Sequence, residues 1–224
     1  MKTAVPDYRE FSISKLNERM FSHVKLLLFW PIFGILFLYF ERIRVCDYHV
    51  IESSLDAYIP FVAAFIIPYF LWFVYLIGFL VYSFFTDVQA FKRCMWFIII
   101  TYSVTSIVYF VYPTSQQLRP VINDTGFFTS LVSGLYSFDT NTNVCPSIHV
   151  LGSMAVCFTV FKCRALQKKW LLTLNVVCAI LISFSTVFLK QHSIIDVFYG
   201  FVLSFAAYPL SIGNNKITRY LIGE

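Results

Sequence analysis

Residues 61–85 read FVAAFIIPYFLWFVYLIGFLVYSFF, without a single charged side chain. A hydrocarbon core ~30 Å thick needs about 20 apolar residues of helix, so this stretch can cross a bilayer with some tilt. Five further apolar runs accompany it: Val24 to Phe40, Cys94 to Val111, Ser147 to Phe161, Trp170 to Leu189 and Ser193 to about Ile212. They predict an all-α, polytopic membrane bundle of about six transmembrane helices. The first run follows a basic tail, as a signal peptide would. No small-x-small cleavage site follows it, and it closes on Glu41-Arg42-Ile43-Arg44, so it reads as a retained helix. The fourth run is short, which places its first turn at the interface. Pro209 is expected to kink or end the sixth. The expected division is a cytoplasmic tail over 1–23, a membrane domain over 24–212 and a second cytoplasmic tail over 213–224.

Composition points the same way. Charged residues make up 13% of the chain, about half the roughly 25% of a soluble domain, and mean hydropathy is +0.72. The 26 Phe and 14 Tyr suit a lipid-facing surface and its interfacial belts. With six spans, Arg42, Arg44, Arg119 and Lys190 fall on one side, and the other thirteen of the 17 Lys and Arg fall on the side of the termini. The positive-inside rule then puts both termini in the cytoplasm, for a multi-pass protein of the cell membrane. The net charge of +5 expresses this bias and needs no nucleic-acid partner. The six Cys form no CxxC pair or Cys/His cluster. Cys46 and Cys145 share a predicted side, which leaves a disulfide between them open.

The longest polar segment, Tyr112 to Pro146, is rich in turn-forming residues and is expected to be a functional loop. Polar clusters flank it at the same predicted membrane face. Arg119-Pro120 lies beyond the third run. Cys145-Pro146-Ser147-Ile148-His149 opens the fourth. Lys190-Gln191-His192-Ser193-Ile194-Ile195-Asp196 joins the fifth to the sixth. Singly, each has an ordinary reading: an interface anchor, a helix start, an interfacial imidazole. Asp196 is harder to dismiss, because a charge one turn into a membrane helix is costly. His192 and Asp196 are four apart and share a helix face, so the carboxylate can hold the imidazole in one tautomer. This set suits phosphoryl transfer. His192 is the nucleophile, backed by Asp196, and His149 protonates the leaving oxygen. Arg119, Ser147, Lys190 and the free amides at the start of the fourth helix hold phosphate oxygens. No metal or cofactor is required; a metal site built from His149, His192 and Asp196 is the rival reading, which Arg119 opposes.

These residues resemble the three motifs of the type 2 phosphatidic acid phosphatase superfamily, K-x6-R-P, P-S-G-H and S-R-x5-H-x3-D. Arg119-Pro120 matches the first, Pro146-Ser147-Ile148-His149 the second, and Ser185, His192 and Asp196 the third, in order and spacing. The resemblance implies a six-helix core, a phosphohistidine on His192, general acid work by His149 and phosphate binding by Arg119 and Ser147. Three positions depart from the motifs: Tyr112 stands for the Lys, Ile148 for the Gly and Thr186 for the Arg. Sphingomyelin synthase and inositol phosphorylceramide synthase look like the same superfamily with similarly thinned motifs. The expected substrate is therefore a lipid phosphate or a phospholipid, and the expected activity a membrane lipid phosphatase. A phospho-headgroup transferase is the first alternative, and a transporter or inactive scaffold the second.

Overall fold

The computed structural model describes residues 6–223, and it is all-α apart from one short strand pair. The helices are α1 (Phe29–Leu38), α2 (Ile66–Thr86), α3 (Val88–Val111), α4 (Phe127–Phe138), α5 (Ile148–Val160), α6 (Lys169–Phe188), α7 (Ile194–Ser211) and α8 (Lys216–Ile222). Five helical segments are long and apolar enough to cross a membrane: Ser22–Ile43 around α1, Ala63–Thr86, Val88–Val111, Lys169–Phe188 and Ile194–Ser211. Two shorter apolar helices, α4 and α5, join them, and the chain is a multi-pass membrane protein.

α5 is the hub. Its 13 residues rise only about 20 Å. All but Ile148 and Phe158 are buried, against α2, α3, α6 and α7. Lipid gives helices no hydrophobic drive to associate, so close packing through small residues has to supply it. Gly200 of α7 shows how close: a Cβ there would stand 2.9 Å from the Val150 Cβ on α5. The Ile148 carbonyl accepts from the Tyr102 hydroxyl, and the Pro146 carbonyl from that of Tyr109. Tyr102 lies ~13 Å along α3 from its end at Val111. The start of α5 is thus sunk below the rim of the bundle, which is why its run is too short to cross alone.

The polar segment expected as a loop contains α4, which turns Val132 and Leu135 onto Ile66 and Tyr69 and leaves Phe127, Phe128 and Phe138 exposed. Strand β1 (His49–Val50) pairs in parallel with β2 (Thr114–Ser115), fastening the α1–α2 connection to the one after α3. At the far end of the bundle α8 folds back on α3. There Arg93 donates to the carbonyls of Ile212 and Gly213, Lys92 to that of Ile222 and Trp96 to that of Leu221. Cations at these carbonyl-rich helix ends are favoured by the helix dipole. Pro209 sits inside the last turn of α7, which ends at Ser211.

Candidate active site

α7 opens on a capping box: the Ser193 hydroxyl accepts from the Ile195 amide, and the Asp196 carboxylate reaches back to the Ser193 amide at 2.9 Å. The same carboxylate oxygen, Oδ2, lies 3.3 Å from Nδ1 of His192. A carboxylate can only accept, so this contact calls for a proton on Nδ1 and leaves Nε2 outside it. Asp196 is fully buried and His192 is 6% exposed. The Cys145 thiol lies beside Asp196; burial and then that neighbouring charge push its pKa up. The thiols of Cys46 and Cys145 are both free.

The second imidazole comes from the first turn of α5. His149 stands 5.7 Å from His192 between ring centres. Two aromatic rings of α2 fix its plane, Tyr69 at 4.5 Å and Trp72 at 4.7 Å, and its Nδ1 has no protein partner. Ser147 caps α5 without using its hydroxyl, which is buried and unpartnered. Its amide donates to the Asp196 carbonyl at 3.2 Å, tying the starts of α5 and α7 together. The amides of the first turn of α5 have no carbonyl within their own helix to satisfy them.

Both imidazoles line a cavity of about 390 Å³ between α1, α2 and the segment joining α4 to α5. Its polar lining includes Glu41, Asp139, Asn143 and Gln191, and no Lys or Arg among the described residues. Asp139 accepts from the Tyr69 hydroxyl at 3.2 Å. Burial raises its pKa, against the opposing pull of His192 and Arg119.

Arg119 lies one layer behind. Its guanidinium donates to the carbonyls of Tyr136, Asp139 and Thr140 at the end of α4, and to the Gln191 side chain next to His192. It also stacks 4.6 Å over the Tyr136 ring. Lys190, read from sequence as a phosphate ligand, is not among the residues lining this cavity, and its ammonium donates to the Asp56 carbonyl at 2.8 Å. The three positions that depart from the motifs have ordinary surroundings. Tyr112 is half-exposed and stacks on His49 at 4.0 Å. Thr186 is buried and donates to the Ser183 carbonyl. Ile148 offers its carbonyl to Tyr102.

Asp56 was not singled out by sequence, yet it anchors the start of α7 beside His192. From a turn between α1 and α2, it accepts from the Ser193 hydroxyl at 2.6 Å and from the Ile194 amide at 2.9 Å. Tyr69, Trp72, Asp139 and Gln191 were missed likewise. Of these only Gln191 lies inside a motif, where its neighbour His192 is the sole signal.

Fold and site together define a class: a multi-pass helical membrane protein with a carboxylate-held imidazole facing a second one across a buried cavity. Residues 96–213, more than half of the chain, match the PAP2 superfamily, and the chain belongs to it. No curated protein and no solved structure gives a significant match.

Proposed function

We propose that this protein is an integral membrane lipid phosphatase that works through a phosphohistidine. The observation that carries the reading is the pairing of His192 Nδ1 with Asp196 while His149 stands opposite in the same cavity. His192 Nε2 attacks phosphorus, and the bond from phosphorus to the lipid oxygen breaks. A protonated His149 gives its proton to that oxygen. Water, deprotonated by the now neutral His149, then attacks the phosphohistidine and releases phosphate and free His192. Asp196 holds the tautomer and steadies the imidazolium as it forms. The Ser147 hydroxyl and the first amides of α5 supply donors for the phosphate oxygens. Arg119 adds positive charge from behind Gln191. The distribution of Lys and Arg supports cytoplasmic termini and a site on the extracytoplasmic side.

A second reading has an observation of its own. A phosphomonoester carries close to two negative charges and a diester one. Among the described residues the cavity wall offers carboxyls and no Lys or Arg, Lys190 is bonded to the Asp56 carbonyl, and Thr186 is buried. That balance favours a diester, and with it transfer of a phospho-headgroup to a lipid acceptor. A panel of phosphomonoester and phosphodiester lipids, given to wild type and His192→Ala, separates the two. Free phosphate from monoesters supports the phosphatase; a new headgroup-bearing lipid supports the transferase. Turnover in His192→Ala equal to wild type would refute both.

A further inference from the structure

Below the catalytic cavity, between α1 and α2, runs a second hollow of about 660 Å³. It falls within the ~300–1,000 Å³ range of ligand-binding pockets, and no charged residue among those described lines it. Phe33, Phe37, Trp72 and Phe73 line both hollows, so the two adjoin. From Trp72, which touches His149, the groove follows α2 to Phe84. Those thirteen residues of helix rise ~18 Å, somewhat more than half of a ~30 Å hydrocarbon core. α1 leaves this space because it leans on α3, with Trp30 and Phe33 against Tyr102, and none of its own residues is buried. Ile77 and Val81 on the α2 wall are half-exposed, so the groove opens sideways to surrounding lipid.

We propose that this groove seats one acyl chain of the substrate while the phosphate sits between His149 and His192, and that Gly34 sets how much chain it accepts. The assignment rests on the lipid-phosphate reading above. Adjacency supports it: a chain attached to a phosphate at His149 would leave the cavity past the shared residues Trp72 and Phe33, and the wall beyond them is apolar for one leaflet's depth. A chain arriving from lipid gains little from burial, because lipid is equally apolar. What the groove supplies is placement of the phosphate, where a small displacement costs much rate. Gly34 lines the groove, and a Cβ added there meets no atom within 4 Å, so a larger side chain would project into it without disturbing the helix.

The test uses the purified full chain in detergent with two phosphatidic acids, one with six-carbon and one with eighteen-carbon chains. The readout is the ratio of kcat/KM for long over short. Gly34→Leu should lower this ratio about tenfold, an effect of misplacement, and Ile77→Trp on the facing wall should lower it too. Gly78→Leu, an equal change at another open position of α2 outside the groove, should leave it in place. Turnover with an unchanged ratio in both groove variants, each confirmed folded by its melting curve, overturns the groove and leaves the phosphatase standing. No product from either lipid in wild type overturns the phosphatase reading, and the groove's assignment falls with it.

Discussion

Asp139 is the residue whose ionisation costs the fold most visibly at the site. In an unfolded chain an Asp titrates at about pH 3.9. In the folded protein burial moves it higher, despite the nearby His192 and Arg119. Folding therefore takes up a proton between the two values, and stability falls as pH rises through that window. Above the folded pKa the penalty is fully present, and each tenfold gain in proton affinity on folding corresponds to about 1.4 kcal/mol. Asp139→Asn keeps an acceptor for Tyr69 and cannot ionise. Its melting temperature should decline less than that of wild type from acid to neutral pH; parallel curves would show that the carboxyl is not the group responsible. The convergence of His149, His192 and Asp196 was legible in the sequence because their spacing puts them at helix starts on one face. Asp139 and Tyr69 were not: they lie 70 positions apart, and only folding brings them into contact. The bond from Lys190 to the Asp56 carbonyl was hidden for a related reason, since a cation's position in sequence does not say which carbonyl it will reach.

At the scale of elements, the start of α7 is the part most dependent on others. Its capping box is local, but Asp56 holds it from 137 residues away. Asp56→Ala would strand the Ser193 hydroxyl and the Ile194 and Ser53 amides. Buried donors left unpaired cost about 1–3 kcal/mol each, so a loss of about 3 kcal/mol is expected. Because His192 precedes this cap, kcat should fall more than KM rises. Thermal unfolding and steady-state kinetics check the two parts, and unchanged values would remove Asp56 from the anchor role. Five of the six expected spans are long enough to cross. The fourth is short because its first turn is sunk beside Tyr102. Hydropathy revealed these runs because apolar length is its direct signal. It missed α4, whose polar flanks hide a 12-residue amphipathic stretch.

For the whole molecule, the charge distribution makes a claim about sidedness. With native cysteines removed, Asn123→Cys in the exposed turn before α4 should react with an impermeant thiol reagent from outside intact cells. Labelling only after lysis would invert the orientation. The molecule also divides its labour at one point. α2 and α3 meet at Asp87, whose carboxylate caps α3 through the Ala90 amide. Asp56, Tyr69 and Trp72, which hold the site from outside the matched family region, precede this junction, whereas both imidazoles and Asp196 follow it. The second half on its own would keep His149, His192 and Asp196 and lose the walls that hold them. Cut at Asp87, the chain becomes two complementary fragments, and chemistry would report their meeting in a shared bilayer.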